Sequence, residues 1–222
     1  MSVERPVAPT SCLPDPRVTA SSDEVEWRDL ERDDIPHLAD FAPKDWRMPL
    51  DAVLIQHVGR RYFHARVATV ASRIVAVGQG VATGRTGWVG NIIVSPDTRG
   101  RGFGTRMTHE VLSWLRERGC SSLLLIATTA GEPLYRKLGF RRTEEYVFLE
   151  MPRLLPPATS AIRRLEPGDV DHVLRLDAGV TGESRAELLE PHLGAAWVWV
   201  DRERSLAGFF LPSFGSGLIL AE

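Results

Sequence analysis

The chain has 222 residues, which is long enough to bury one large hydrophobic core or two small ones. Its 43% hydrophobic and 25% charged residues are ordinary for a soluble globular protein, and its formal net charge of −2 predicts no overall attraction to nucleic acid or to an anionic membrane. No apolar run approaches the ~18 residues that a membrane-spanning helix needs. Any basic binding site must therefore be local.

Residues 1–23 predict a flexible tail. They contain four prolines among serines, threonines and charged residues, and they lack the apolar stretch of an export signal. The two cysteines, Cys12 and Cys120, are far apart and have no metal-binding or redox spacing. Together these features predict a cytoplasmic protein without a disulfide framework and without a metal site.

From residue 24 to 151 the pattern alternates between strands and helices. A short helix is expected after the first strand, capped by Asp33 or Asp34 and with Pro36 in its first turn. A hairpin is expected around Ser72–Arg73. The other expected elements are strands at 25–30, 65–71, 74–83 and 88–94 and a helix at 49–58.

A glycine-rich turn follows the strand that ends at Val94. It reads Arg99-Gly100-Arg101-Gly102-Phe103-Gly104, and it opens a helix that continues to about Arg118 with Gly119 as its stop. An unbroken apolar run at 123–126 then predicts a strand that is covered on both faces. A short helix at 132–138 and a strand at 142–151 complete this half, which gives a mixed sheet with a right-handed crossover.

Residues 152–160 are predicted to form a linker, and residues 161–222 repeat the beginning of the chain. Seven residues recur 135 positions later, in the same context of a strand followed by a helix. Although a strand followed by an Asp-capped helix is a common pattern, the matching His and Glu favour an internal duplication. The matched pairs are Arg28 and Arg163, Leu30 and Leu165, Glu31 and Glu166, Asp34 and Asp169, Ile35 and Val170, His37 and His172, and Leu38 and Val173.

The second copy is expected to be incomplete. A helical segment is predicted near 184–192 and strands near 197–200 and 206–212, but no counterpart of the glycine turn or of the helix after it follows. We therefore expect the second lobe not to bind the same ligand as the first.

The glycine turn is a candidate anion site. At the start of a helix, free backbone N–H groups and the positive end of the helix dipole face a ligand, and glycines let the backbone approach phosphate oxygens closely. Arg99, Arg101 and Arg106 add cationic donors that suit phosphate. The alternative interpretation is a tight turn that needs glycine only for its geometry.

Three other motifs are excluded because each lacks a required residue. A dinucleotide fingerprint that starts at Gly100 would need a third glycine where the chain has Thr105, and a Walker A loop would need a Gly-Lys pair that the turn does not contain. The helix contains His109-Glu110, as a zinc-protease helix would, but Ser113 stands where the second histidine is required.

The turn resembles the acetyl-CoA signature of the GNAT superfamily of N-acetyltransferases, Arg/Gln-x-x-Gly-x-Gly/Ala. The preceding segment 91–96 is similar to the family's fourth strand, and Leu134-Tyr135-Arg136-Lys137-Leu138-Gly139-Phe140 is similar to its second signature. The two motifs, their spacing and their context cover residues 25–151. The resemblance implies an α/β mixed sheet of the GNAT type with an acetyl-CoA site in this part of the chain.

The resemblance also implies roles for individual residues. The backbone amides of Arg101 to Thr105 would hold the CoA pyrophosphate, and the backbone of Ile92 and Val94 would pair with the pantetheine arm as an added strand would. An amide of the same strand would stabilise the oxyanion, and Tyr135 would protonate the departing thiolate, unless its ring only packs the last helix against the sheet. The implied cofactor-binding residues are Ile92, Ile93, Val94, Arg99, Gly100, Arg101, Gly102, Phe103, Gly104, Thr105, Thr128 and Arg136.

Two departures from the family pattern leave questions open. Where many members carry an asparagine that contacts pantetheine, this chain has Thr128, whose hydroxyl either substitutes or leaves the contact absent. No general base is evident. Glu145, His57 and His64 are candidates by residue type alone, and a base acting through water would leave no motif.

The sequence thus predicts a GNAT domain at 24–151, a linker and a partial second GNAT-like lobe at 161–222. The expected function is transfer of an acetyl group from acetyl-CoA to a primary amine by direct attack, without a covalent enzyme intermediate. The alternatives are an inactive sensor that binds acetyl-CoA and an interaction module in which a homodimer completes an open sheet edge. The acceptor, a small molecule or a peptide amine, is not specified by the mixed charges of residues 42–63.

Overall fold

The computed structural model describes residues 2–6, 24–43, 50–145, 161–201, 203, 205–215 and 217–221. The chain forms two compact units, Met1–Tyr146 and Val147–Glu222. The predicted domain end at residue 151 and the predicted linker 152–160 lie outside the described residues. No helix in the described ranges is both long and apolar enough to cross a lipid bilayer.

The first unit is a seven-stranded mixed sheet with helices on both faces. Its strands are β1 (Ser2–Pro6), β2 (Val25–Asp29), β3 (Phe63–Val70), β4 (Arg73–Thr83), β5 (Thr86–Val94), β6 (Ser122–Ile126) and β7 (Arg141–Glu144), in the order β2-β3-β4-β5-β6-β1-β7. Its α-helices are α1 (Leu50–His57), α2 (Phe103–Glu117) and α3 (Glu132–Lys137), and 3₁₀ turns cover Arg32–Leu38 and Pro96–Thr98. The predicted strands and helices between residues 25 and 138 are confirmed, and α2 connects the parallel pair β5 and β6.

Helix α2 covers one face of the sheet, over β3, β4 and β5. Gly78 of β4 permits this close approach, because a side-chain carbon at that position would come within 2.5 Å of Met107 Cγ. The helix presents an apolar stripe at i, i+4, i+5 and i+8, and every residue of the stripe is fully buried. The stripe consists of Met107, Val111, Leu112 and Leu115.

The alternating directions of the side chains along β3 show which helix lies on which face of the sheet. The ring of His64 stacks on Trp114 of α2 with 5.0 Å between ring centroids, so His64 points to the α2 face. The neighbouring Phe63 points to the opposite face, where its ring centroid lies 5.5 Å from that of His57 at the end of α1. Helix α1 therefore lies on the face away from α2.

The N-terminal segment differs from the predicted flexible tail. Residues Ser2–Pro6 form β1, which lies between β6 and β7 and is antiparallel to both. The backbone N–H and C=O groups along β6 and β7 need hydrogen-bond partners. Because β1 bonds to both strands at once, these hydrogen bonds offset the conformational entropy that the segment loses when it is ordered. Residues 7–23 of the predicted tail lie outside the described residues.

Two local predictions in the first unit are wrong in position. The 3₁₀ turn after β2 is capped at Glu31 rather than at Asp33 or Asp34, because the Asp34 carboxylate accepts the Glu31 N–H at 2.8 Å from the third position of the turn. The hairpin between β3 and β4 turns at Ala71–Ser72, with φ of 48° and 63°, rather than at Ser72–Arg73. A two-residue turn with positive φ at both positions matches the twist of the strands it joins, which moves the turn by one residue.

The second unit is a four-stranded antiparallel sheet with one longer helix packed against it. Its strands, in the order β11-β10-β9-β8, are β8 (Ile162–Arg164), β9 (Trp197–Val200), β10 (Leu206–Leu211) and β11 (Leu218–Ala221). The helices are α4 (Val170–Thr181) and α5 (Ala186–Leu189), with 3₁₀ turns at Pro167–Asp169 and Glu190–Ala195. The core joins Val173 and Leu176 of α4 to Val198 and Phe209 of the sheet. The predicted helical segment and two strands are confirmed, whereas β11 was not predicted.

The same ion-paired turn follows strand β2 in the first unit and strand β8 in the second. In the first unit, Arg28 Nη1 and Nη2 donate to the Asp34 carboxylate at 2.6 and 2.7 Å. In the second unit, Arg163 Nη1 and Nη2 donate to Asp169 at 2.6 and 2.9 Å. In both turns the aspartate also accepts the N–H of the glutamate three positions earlier, at 2.8 Å. Residues 135 positions apart in the sequence thus form the same set of hydrogen bonds.

Candidate functional site

Strand β5 parts from its neighbour β6 about halfway along its length. The parallel pairing begins at Thr86 and ends at Val89, which lies opposite Leu125. Strand β5 continues to Val94, so Gly90–Val94 has no strand partner on that side among the residues that the structure describes. This segment, which contains the predicted Ile92, Ile93 and Val94, leaves a free row of backbone groups inside the sheet. We call it the free edge of β5.

A β-bulge lies at the start of the free edge. Between Gly90 and Ile93, β5 advances by three residues while the paired strand β4 advances by only two. Asn91 takes a left-handed conformation with φ of 49°, which asparagine tolerates better than most residues. Because the extra residue of a bulge drops out of the ladder, backbone N–H groups at this point are available to a ligand.

The glycine turn leads from the free edge into α2. Gly100 and Gly102 have φ of 78° and 86°, a left-handed backbone that would cost a residue with a side chain ~1–2 kcal/mol. Gly102 is the N-cap of α2, and its carbonyl oxygen accepts the N–H of Arg106 at 3.0 Å. The N–H groups of residues 103–105 therefore precede the first intrahelical bond, and they stand at the positive end of the helix dipole. The first turn of α2 contains no acidic residue.

Polar contacts hold the glycine turn at its start. Asp97 accepts hydrogen bonds from Ser95 Oγ and from Arg73, both at 2.5 Å, and these bonds hold the pKa of Asp97 below its ordinary value of 3.8. Further along, Arg99 Nε donates to the carbonyl oxygen of Val94 at 3.2 Å. The turn is thereby fixed against the end of the free edge.

Two of the three arginines at the turn are available to an anion. Arg99 and Arg101 are exposed, and neither pairs with a carboxylate in the described part of the chain. Arg106, which was expected to add to the site, instead lies 4.3 Å over the ring of Trp27 and pairs with Glu110 at 3.5 Å. Because Trp27 belongs to β2, the Arg106 side chain is held against that strand.

Helix α3 brings the second sequence motif next to the turn. Leu134 Cδ2 lies 3.5 Å from the point that a side-chain carbon on Gly104 would occupy, so α3 and the start of α2 are in close contact. The half-buried Tyr135 packs against the same core cluster as Ile92 of the free edge. Its ring meets Phe140 edge-on, with 6.0 Å between centroids. Tyr135 and Ile92 of the free edge therefore border one hydrophobic cluster.

The hydroxyl of Tyr135 is a proton-bearing donor. Burial raises the pKa of Tyr135 to about 12, so the phenol is protonated at neutral pH. Within the described ranges this hydroxyl has no hydrogen-bond partner, and it can donate to a ligand.

The two other residues predicted around α3 have partners within this segment. Thr128 Oγ1 accepts the N–H of Gly131 at 3.2 Å, which leaves the hydroxyl hydrogen free to donate. Arg136 Nε donates to Glu132 Oε1 at 2.8 Å, one helical turn earlier. Contact of Thr128 and Arg136 with a cofactor stays a prediction.

The candidate general bases also have partners, and no described contact places them at the bulge. His57 Nδ1 lies 3.1 Å from the hydroxyl of Tyr62. His64 is on the α2 face, where burial lowers its pKa. Glu145 accepts a hydrogen bond from Arg142.

One residue beside the bulge was missed by sequence analysis. Gln79 of β4 is only 9% exposed and lies opposite Gly90, the first residue of the free edge. The signal that could have identified it is a single polar side chain within the apolar run from Val75 to Val81, since a buried amide needs a partner.

Comparison with known proteins assigns the first unit. The model of the acetyltransferase (GNAT) family matches residues 25–140, which is more than half of the chain. The glucosamine 6-phosphate N-acetyltransferase of Trypanosoma brucei brucei is 31% identical over 65 residues, which cover 29% of this chain and 44% of that protein. The aligned part therefore spans less than half the length of this curated relative.

Solved structures share the fold of more than half of the chain. The aminoglycoside N-acetyltransferase AAC(6′)-Iy, in complex with CoA, has a TM-score of 0.51 at 15% identity, over 60% of this chain and 98% of its own. The GCN5-related N-acetyltransferase from Ralstonia eutropha JMP134 has a TM-score of 0.50 at 21% identity, over 57% of this chain and 99% of its own. With the family match, the glycine turn and the parted strands, the conclusion is that this chain belongs to the acetyltransferase (GNAT) family.

Proposed function

We propose that the chain is an N-acetyltransferase that transfers the acetyl group of acetyl-CoA to a primary amine by direct attack. The observation that carries the proposal is the continuity of the free edge of β5 with the glycine turn. CoA contains an extended amide-bearing arm that is joined to a pyrophosphate, and these two parts need the two surfaces side by side.

The glycine turn suits the pyrophosphate in both charge and geometry. The N–H groups of residues 103–105 are not used within α2, and Gly100 and Gly102 give the turn the left-handed backbone that exposes such donors. The exposed Arg99 and Arg101 add positive charge at the same place. AAC(6′)-Iy, a protein of the same fold, is known in complex with CoA, which supports CoA as the ligand to test.

The free edge suits the pantetheine arm. Its backbone groups lie in the plane of the sheet, and the arm would take the place of the missing strand beside Ile92 and Val94. At the bulge, an N–H group near Asn91 would donate to the acetyl carbonyl oxygen as negative charge develops there. The bulge supplies this donor without a side chain.

Tyr135 would assist the departure of the thiolate mainly as a hydrogen-bond donor. Its pKa of about 12 lies above that of a solvated thiol, so complete proton transfer to a solvated thiolate would be uphill. A hydrogen bond from the phenol to the developing thiolate carries no such cost. Complete transfer requires a thiolate that is itself desolvated.

The acceptor class is proposed from chemistry and from one relative. Direct attack requires a neutral amine, and the matched curated relative is a glucosamine 6-phosphate N-acetyltransferase. Because the match covers only 65 residues, glucosamine 6-phosphate is the first amine to test rather than an assigned substrate.

We also propose that the second unit is a partial copy of the first. The support is the repeated turn in which Arg163 and Asp169 reproduce the hydrogen bonds of Arg28 and Asp34. The 3₁₀ turn at Pro167–Asp169 leads directly into α4, so the copy continues as a longer helix than its counterpart.

A second candidate function is a sensor that binds acetyl-CoA without turnover. The contacts of the candidate general bases favour this function, because His57 and Glu145 interact with other residues and His64 lies on the α2 face. An enzyme whose amine enters already neutral needs no such base, so turnover is the property that separates the two functions.

The test is calorimetric titration of acetyl-CoA into the chain and into an Arg99→Ala, Gly102→Glu double variant. The matched control is Gly59→Glu, Arg60→Ala, which changes an exposed arginine and a glycine with φ of 84° outside the turn. We expect binding to be lost in the first variant and kept in the second. Thiol release with a panel of amines then distinguishes the enzyme from the sensor, and a well-folded wild-type chain that binds no acetyl-CoA contradicts both.

A further inference from the structure

The side-chain oxygen of Gln79 is buried beside the bulge. Gln79 is 9% exposed, and its Oε1 makes no hydrogen bond to any residue that the structure describes. A buried amide oxygen that accepts no hydrogen bond destabilises the folded chain, so a group of this kind is normally satisfied by a ligand or by water.

The position of Gln79 places it at the bulge. Gln79 of β4 pairs with Gly90, the residue at which the free edge begins. The next pair on the other side of the bulge is Val77 with Ile93. Since Gly90 has no side chain, the amide of Gln79 lies against it: a side-chain carbon there would be 3.4 Å from Nε2. The carboxamide is therefore next to the point where β5 and β6 part.

Gln79 points to the face of the sheet away from α2. It lies between Gly78 and Gly80 on β4, and side-chain carbons at those two positions would meet residues of α2. Its cross-strand partner on β3 is Ala65, which follows the same alternation as Phe63. The face of Gln79 is thus the face that carries α1.

We propose that Gln79 Oε1 accepts a hydrogen bond from the acceptor amine and holds that amine at the bulge. This inference rests on the proposed acetyl transfer and names the residue that receives the second substrate. The pantetheine amides offer N–H groups of the same chemistry, but the arm would run in the plane of the sheet along β5. The Gln79 side chain stands out of that plane, which favours a substrate that arrives from the α1 face.

A neutral carboxamide fits this role better than a carboxylate. It accepts an amine N–H without adding a negative charge that would hold the amine as an ammonium ion. An amine bound in this way keeps its lone pair for attack. When the substrate binds, Gln79 Oε1 accepts the hydrogen bond that it otherwise lacks.

The experiment compares Gln79→Met and Gln79→Glu with the wild-type chain. The readouts are the Kd of acetyl-CoA by calorimetry and the KM and kcat for the best amine of a panel of glucosamine 6-phosphate, spermidine, lysine and ethylamine. Thr83→Val is the matched control, because Thr83 is a buried polar residue of the same strand at the far end from the bulge. Thermal unfolding checks that each variant is folded.

We expect Gln79→Met to raise the KM for the amine about 3- to 10-fold, the loss of one hydrogen bond, with an unchanged Kd for acetyl-CoA. Gln79→Glu should move the rising limb of the kcat/KM profile to higher pH by about one unit, because the carboxylate stabilises the protonated amine. Thr83→Val should change neither.

Two results would overturn the inference while the proposed function stands. A weaker Kd for acetyl-CoA with an unchanged amine KM would assign the oxygen to the pantetheine arm. No change in either constant, with no shift in the pH profile, would assign it to bound water. If the wild-type chain acetylates no amine of the panel, the proposed function fails first and the inference fails with it.

Discussion

Replacing Gly100 by alanine isolates the contribution of backbone conformation to ligand binding. Gly100 has φ of 78°, and a side-chain carbon on it would meet no atom within 4 Å. The substitution therefore introduces no clash, and its only cost is ~1–2 kcal/mol for a left-handed residue with a side chain.

This cost should appear on binding rather than on folding. The turn is exposed around Gly100, and its described contacts are at its ends, so the free variant can relax toward a right-handed conformation. Returning it to the shape that presents the N–H groups of residues 103–105 then costs the full amount. We expect the Kd for acetyl-CoA to rise about 5- to 30-fold.

Calorimetric titration with Gly59→Ala as the control checks this reasoning. Gly59 has φ of 84° and the same empty surroundings, but it lies in the connection after α1. Gly59→Ala should leave the Kd unchanged. If Gly100→Ala binds acetyl-CoA as tightly as the wild-type chain, the left-handed turn is not part of the binding surface; if both variants weaken binding equally, the effect is global.

Two further predictions concern Tyr135 and Asp34. Tyr135→Phe should lower kcat about 10- to 100-fold, because one hydrogen bond to a developing charge is lost, and it should change the Kd for acetyl-CoA less than twofold. Steady-state kinetics measures kcat, and calorimetry measures the Kd. An unchanged kcat would show that the ring of Tyr135 only packs against its neighbours. The hydrogen bonds from Arg28 hold the pKa of Asp34 below its ordinary value of 3.8, so the stability they contribute is present above about pH 4 and is lost as the pH falls through the lower, folded-state pKa. Asp34→Asn should therefore lower the free energy of unfolding at pH 7 by ~1–2 kcal/mol and flatten its dependence on pH below 4, which urea titrations at a series of pH values measure. An acid transition identical to that of the wild-type chain would show that this pair does not control it.

The glycine turn and the elements around it could be predicted because their signals are local. Gly100 and Gly102 adopt the left-handed conformation that only glycine enters freely, and the apolar stripe of α2 follows the helical period. Residues 28 and 34, with their copies at 163 and 169, are six positions apart in the chain and were visible as a repeat. Short-range chemistry of this kind survives in the sequence pattern.

The features that complete the site depend on contacts between distant parts of the chain. The left-handed Asn91 follows from the register between β4 and β5, which residue types alone do not fix. Pairing of Ser2–Pro6 with β6 joins segments about 120 residues apart, and a proline-rich terminus gives no local sign of it. Arg106 matched a phosphate site by charge, yet Trp27, far away in the sequence, decides where its side chain lies.

The parting of β5 and β6 also limits what can enter the sheet. An unpaired edge at the rim of a sheet invites any extended chain, including another copy of the protein, whereas this one is enclosed because β6 is itself paired with β1. Neighbouring strands in a sheet lie ~4.8 Å apart, and an extended ligand that paired with the free edge of β5 would lie at that distance from it. Such a ligand would therefore lie inside the sheet, between β5 and the strands beyond it, rather than extend the sheet at its rim.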